Sequence, residues 1–71
     1  MVVKLKNHIR ELRKSAKLSQ EELAKLCNVS RQTINAIEND KYDPTLQLAF
    51  SIAAVLDTTV DELFINEDMD M

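Results

Sequence analysis

The sequence predicts an all-α domain of five short helices, and three observations carry that expectation. Apolar residues recur at three- and four-residue spacing along most of the 71-residue chain. Ser19 and Thr59 each stand three residues before a glutamate, Glu22 and Glu62, the pattern of a capping box at a helix start. The chain contains no glycine, and the four expected helix ends fall on Lys17, Asn28, Asp40 and Asp57. Asn and Asp accept the left-handed backbone after a helix at modest cost, and a glycine-free chain loses less backbone entropy on folding.

The first helix is expected over residues 7–16, with Asn7 as its N-cap and Leu5, Ile9 and Leu12 on its apolar stripe. Lys6, Arg10, Arg13 and Lys14 fill the polar positions between them, and Lys17-Leu18 breaks the pattern. Ser19 then caps a second helix whose inner stripe is Leu23, Ala24 and Cys27. Ser30 caps a third, with Ile34, Ile37 and Glu38 facing inward, and a polar loop follows over residues 39–43. Pro44 is expected at the start of the fourth helix, where its missing N–H does no harm. Leu46, Ala49, Ile52, Ala53 and Leu56 form the inner stripe of that helix, while Leu48, Phe50 and Val55 lie off it. The helix is thus apolar around more than half its girth, and part of that surface is expected to meet a partner subunit. Thr59 opens a short fifth helix carrying Leu63 and Phe64. Val2, Val3 and Ile65 are β-branched and suit short strands. Residues 1–66 are read as one domain and residues 67–71 as an acidic, flexible tail.

Composition narrows the function. One cysteine cannot form an internal disulfide, and no Cys/His cluster has metal-ligand spacing. No apolar run approaches the roughly 20 residues of a membrane span, and the first residues are charged too early for a secretory signal. A reducing cytoplasm is the expected compartment. The net charge of −3 argues weakly against a nucleic-acid partner, but its distribution reverses that reading. All nine Lys and Arg lie in residues 1–41 against five carboxylates, a local charge of +4, and the remaining seven carboxylates stand in residues 42–71 with no cation. Such a molecule can present a basic face to phosphate while its acidic end stays away.

Residues 19–39 are the richest stretch. Two short amphipathic helices flank the break Asn28-Val29-Ser30, which is the grammar of a helix-turn-helix, and duplex DNA is the first partner it suggests. The first turn of the second of these helices would point into the major groove. Arg31 can bond guanine O6 and N7 together, Gln32 can bond adenine N6 and N7, and Asn35 lies one turn on, on the same face. Ser30 and Thr33 can reach phosphate oxygens, as can Gln20 at the first turn of the preceding helix. Asn39, Lys41 and Tyr42 follow the reading helix and could grip phosphates on its other side. His8 is expected to be exposed or against the DNA backbone, and Cys27 a small buried hydrophobe. No nucleophile–base set, phosphate loop or small-molecule signature is visible, so neither an enzyme nor a cofactor is expected.

The segments Leu18 to Ala24, Val29 to Ile34, Ile37-Glu38-Asn39, Pro44-Thr45-Leu46 and Val60 to Phe64 resemble the Cro/cI-type (Xre) helix-turn-helix family of repressors. The resemblance spans about 60 residues and is strongest to small stand-alone members, the type of the enterococcal cytolysin repressor. The chain departs from the family pattern at its usual glycines and at Cys27, neither on the reading face. The resemblance implies a five-helix, lambda-repressor-like DNA-binding domain that acts as a homodimer. It implies a short two-stranded antiparallel ribbon between residues 2–4 and 64–66. It places base reading on Arg31, Gln32 and Asn35, and phosphate contact on Gln20, Asn39 and Lys41. It also makes Arg13 the candidate partner for Glu38, whose carboxylate would be costly to bury bare.

The expectation is therefore a cytoplasmic transcriptional regulator, acting by repression, that binds a double-stranded operator as a homodimer through Val60, Leu63, Phe64 and exposed apolar residues of the fourth helix. Two other classes stand beside it: the antitoxin of a toxin–antitoxin pair, favoured only by the short acidic end, and a protein-interaction module without DNA binding, which Arg31, Gln32 and Lys41 argue against.

Overall fold

The computed structural model describes residues 5–66, of which Leu5, Ile65 and Asn66 are placed as backbone only. In chain order the elements are β1 (Leu5–Asn7), α1 (Ile9–Ser15), α2 (Gln20–Leu26), α3 (Arg31–Glu38), α4 (Leu46–Val55), α5 (Val60–Leu63) and β2 (Phe64–Asn66). The fold is helical, with the two strands closing the ends of the chain on each other. β1 and β2 run antiparallel, Leu5 opposite Asn66, Lys6 opposite Ile65 and Asn7 opposite Phe64.

That ribbon corrects the start of the molecule. Leu5 belongs to β1 and not to a helical stripe. The His8 N–H donates to Leu63 O at 2.9 Å, continuing the pairing of the ribbon, and helix begins only at Ile9. Asn7 is consequently not the N-cap. His8 occupies that position without a side-chain cap, and Asn7 Oδ1 accepts from the Ile9 N–H at 3.1 Å. The partner of residues 64–66 is thus residues 5–7 and not the expected 2–4; residues 2–4 themselves and the tail at residues 67–71 lie outside the described residues.

The four helix ends foreseen without glycine all form. Lys17, Asn28, Asp40 and Asp57 have φ of 62°, 60°, 60° and 57°. In each case the next residue's N–H reaches back five positions: Leu18 to Arg13 O, Val29 to Ala24 O, Lys41 to Ala36 O and Thr58 to Ala53 O, at 2.9–3.0 Å. These are Schellman closures, which satisfy carbonyls that a helix end would otherwise leave orphaned.

The core gathers Ile9, Leu23, Ile34, Ile37, Ile52 and Leu63, none more than 1% exposed, with Ala24, Cys27, Ala49, Ala53 and Leu56 around them. Truncating any one of the six to alanine should cost about 2–5 kcal/mol. In α4 the expected stripe is shifted at its start. Thr45 is the N-cap and its Oγ1 accepts from the Leu48 N–H at 3.2 Å, so Pro44 precedes the helix. With the helix set this way Leu48 joins Ala49, Ile52 and Ala53 inside, while Leu46 overhangs the end of the core and is 70% exposed. At α5 only half of a capping box forms. Thr59 Oγ1 accepts from the Glu62 N–H, but the Glu62 carboxylate takes the hydroxyls of Thr58 and Thr59 and not a backbone N–H. Among the described residues no helix is long and apolar enough to cross a membrane.

Candidate nucleic-acid interface

α2 and α3 are set by their caps. Ser19 Oγ accepts from the Glu22 N–H at 3.0 Å and the Glu22 carboxylate accepts from the Ser19 N–H at 2.8 Å, a complete capping box. The Ser19 backbone N–H, and to a lesser degree the Ser19 hydroxyl, bond the Glu22 carboxylate and hold that carboxyl below its ordinary value. Asn28 turns the chain, and Ser30 Oγ accepts from the Thr33 N–H at 3.1 Å to open α3. α2 and α3 then pack on each other, burying Leu23 and Ala24 on one side and Ile34 and Ile37 on the other. This leaves Arg31, Gln32 and Asn35 exposed on the outer face of α3. The side chains of Arg31 and Gln32 have no hydrogen bond or ion pair among the described residues.

The far end of α3 is anchored inside the protein. The Glu38 side chain is fully buried and the Arg13 side chain 10% exposed. Arg13 Nε donates to Glu38 Oε2 at 2.7 Å and Nη2 donates to Oε1 at 3.3 Å. Arg13 Nη1 donates to Leu18 O at 2.9 Å, so one guanidinium ties α1, the bend before α2, and α3 together. Burial pushes the Glu38 carboxyl up, but hydrogen bonds from Arg13 and Gln20 and the charges of Arg13 and Arg10 outweigh it and hold the group below the usual carboxylate value. The geometry satisfies every buried polar side chain among the described residues, which is what burying a charge requires.

Three of the residues expected as separate DNA contacts are joined to this anchor. Gln20 Nε2 donates to Glu38 Oε1 at 3.0 Å, and Asn35 Nδ2 donates to Gln20 Oε1 at 3.3 Å. Asn39 Nδ2 donates to Asn35 Oδ1 at 3.2 Å and to Asn35 O at 2.9 Å. Arg10, which sequence reasoning passed over, closes the circuit: Nη2 donates to Asn39 Oδ1 at 3.1 Å and Nε lies 3.5 Å from Glu38 Oε1. The available signal was its position three residues before Arg13, on the same side of α1. Asn7 was also missed as a tie. Its Nδ2 donates to Ile37 O at 2.8 Å and to Asp40 Oδ1 at 3.2 Å, fixing the turn after α3.

The other candidate residues separate into groups. The hydroxyls of Ser30 and Thr33 lie 2.9 Å apart at the mouth of α3. Thr33 and Tyr42 face one open groove of about 570 Å³, with Leu26 and Val29 on its walls. Lys41 is exposed, with no side-chain partner among the described residues. The expected dimer residues need correcting: Leu63 is fully buried in this chain's own core, Phe64, 9% exposed, shows only an edge at a shallow groove, and Val60 is half-buried. Among the described residues the large apolar side chains that do face outward are Leu26 on α2, Tyr42, and, on α4, Leu46 and Phe50, the last 59% exposed. His8 is exposed, its Nδ1 3.5 Å from Glu11 Oε2. Cys27 is buried, and burial pushes its thiol up, away from the reactive thiolate.

The sequence profile of a helix-turn-helix family, HTH_3, matches residues 9–63, which is α1 through α5. The chain belongs to the HTH_3 helix-turn-helix family, of the Xre type. An HTH-type transcriptional regulator of Methanocaldococcus jannaschii, itself uncharacterised, is 50% identical over 64 residues, covering 90% of this chain and 97% of its own length. The immunity repressor of Bacillus phage phi105 is 36% identical over 55 residues, 78% of this chain but 38% of that protein. The crystal structure of the restriction-modification controller protein C.AhdI from Aeromonas hydrophila superposes with a TM-score of 0.71 at 33% identity, over 76% of this chain and 82% of that one. The HTH_3 region of this chain holds every expected base- and phosphate-contacting residue, as well as Arg10, and leaves the ribbon outside it.

Proposed function

We propose that the protein binds duplex DNA sequence-specifically as a homodimer and regulates transcription by repression, occluding polymerase at its operator. The observation that carries this reading is the outer face of α3. Arg31 and Gln32 stand exposed and unpartnered among the described residues at the first turn of a helix whose other end is locked by a buried ion pair. A rigid helix with free bidentate donors at its N-terminal turn is what major-groove reading requires. The +4 charge of residues 1–41 supports approach to phosphate. Family membership and the regulator and repressor names carried by relatives support the same reading.

In this account Arg31, Gln32 and Asn35 read bases, while Ser30, Thr33, Lys41 and Tyr42 contact phosphates. Gln20 and Asn39 serve from within the network: the Gln20 amide keeps one free N–H and one free lone pair, while Asn39, whose nitrogen already donates to Asn35 O and Oδ1, keeps a lone pair on Oδ1. The dimer uses the surface of Leu46 and Phe50, together with the shallow groove of about 290 Å³ lined by Pro44, Leu46, Ala49, Val60 and Phe64. A two-fold dimer places two copies of α3 in successive major grooves, roughly 34 Å apart.

The test is fluorescence anisotropy on a duplex enriched from a random pool and on a random duplex. Arg31→Ala should lower affinity for the enriched duplex by about 1–3 kcal/mol and relax preference at one base pair. Equal loss on both duplexes, or no loss on either, would remove the base-reading assignment.

A further inference from the structure

The three amides between Arg10 and Glu38 do not choose their orientations independently. A guanidinium only donates and an ionised carboxylate only accepts. A chain of hydrogen bonds running from one to the other must therefore point every amide the same way. Starting from Arg10, Asn39 takes the bond on its oxygen and passes one on through its nitrogen to Asn35. Asn35 does the same to Gln20, and Gln20 to Glu38. Arg10 then lies 3.5 Å from the same Glu38 oxygen and closes the ring. Both charged ends enforce one polarity, and a circuit of aligned bonds is stronger than its separate members.

On this basis we propose that Arg10 is a positioning residue for sequence recognition. It fixes Asn39, and through Asn39 it adds a second hold on the Asn35 amide beside that of Glu38 through Gln20, so that Asn35 presents its free N–H and its free lone pair in one order along the groove. An asparagine held this way matches the donor–acceptor edge of adenine and mismatches the two acceptors of guanine. Were the amide free to turn over, it could satisfy either orientation of the edge and would discriminate less. Arg10 is well placed for such a role, because half of its side chain is exposed and its loss leaves the buried Arg13–Glu38 pair intact. The inference rests on the reading of α3 as the base-contacting helix.

The experiment compares Arg10→Met, Asn35→Ala and the double variant on the enriched duplex and on copies changed at the base pair that Asn35→Ala identifies. Arg10→Met should reduce discrimination at that base pair about fivefold, the low end of what a bidentate base contact supplies. The slope of log affinity against log salt should stay unchanged. In the Asn35→Ala background Arg10→Met should reduce discrimination no further, and Arg10→Lys should restore part of the loss in the single variant. A salt slope smaller by about one released ion would make Arg10 a direct phosphate contact and overturn the proposal. So would undiminished discrimination in Arg10→Met, or an equal further loss in the double variant. If Arg31→Ala and Asn35→Ala both leave discrimination intact, the assignment of α3 fails with it; if they abolish it and Arg10→Met does not, only the role of Arg10 fails.

Discussion

Arg13→Met puts the anchor of α3 to its sharpest test. Methionine keeps much of the apolar stem and removes the guanidinium, and with it bonds of 2.7 and 3.3 Å to Glu38 and of 2.9 Å to Leu18 O. The Glu38 carboxylate stays fully buried. Removing one partner of a buried pair costs about 3–5 kcal/mol, most of it from the charge left behind. Here the cost falls near the lower end, about 3 kcal/mol, because Gln20 at 3.0 Å and Arg10 at 3.5 Å still face the carboxylate. A domain of this size has a total stability on the order of 5 kcal/mol, so Tm should fall by roughly 12–24 °C. Urea titration followed by circular dichroism gives the free energy directly. Arg13→Lys, which keeps a cation but loses the forked geometry, should lose less, about 1–2 kcal/mol. The double variant Arg13→Met/Glu38→Leu should be more stable than Arg13→Met alone, since no bare charge remains inside. A cost below about 1 kcal/mol for Arg13→Met, or a double variant weakened by the full sum of the two single losses, would refute the idea that this pair locks α3.

Further outcomes follow from the same structure. Glu38 is held below its ordinary carboxylate value in the folded state, so its contribution is complete above the unfolded value of about 4.3 and is lost as pH falls through the lower folded value; urea midpoints against pH should show that acid slope, reduced in Glu38→Gln. Lys17 holds φ of 62°, a conformation costly for any side chain but least for glycine, so Lys17→Gly should raise stability by about 0.5–1 kcal/mol in a thermal melt, after the larger unfolded-state entropy of glycine is deducted. Phe50→Asp places a charge on the proposed dimer surface, and sedimentation at high micromolar concentration should find the parent chain dimeric and the variant monomeric. Lys41→Ala should weaken enriched and random duplexes alike and reduce the salt slope by about 0.9.

Local chemistry made much of the fold legible in advance. The caps at Ser19 and Ser30, the inward faces of α2 and α3, and the left-handed residues at four helix ends depend on neighbours within a few positions. What was misjudged depends on partners far along the chain. Leu5 has helical spacing to Ile9, but strand β2, some 60 residues away, captures it. Leu46 and Leu48 exchange roles because Thr45, and not Pro44, sets the start of α4. Leu63 and Phe64 looked like spare apolar surface because the sequence does not say how much of a short helix the core will consume.

The candidate site divides in the same way. Exposure of Arg31, Gln32 and Asn35 follows from helical periodicity alone. The circuit joining Arg10, Asn39, Asn35, Gln20 and Glu38 needs three helices in register, and no spacing rule yields it.

The central claim is that α3 reads base pairs in the major groove on a two-fold site. Selection from a random duplex pool, run in parallel on the parent chain and on Arg31→Ala, tests it most directly. The account predicts a near-palindromic site with half-sites about 10 base pairs apart, and loss of preference at one symmetric pair of positions in Arg31→Ala. A pool with no enriched sequence, or the same motif at undiminished strength in Arg31→Ala, would contradict it.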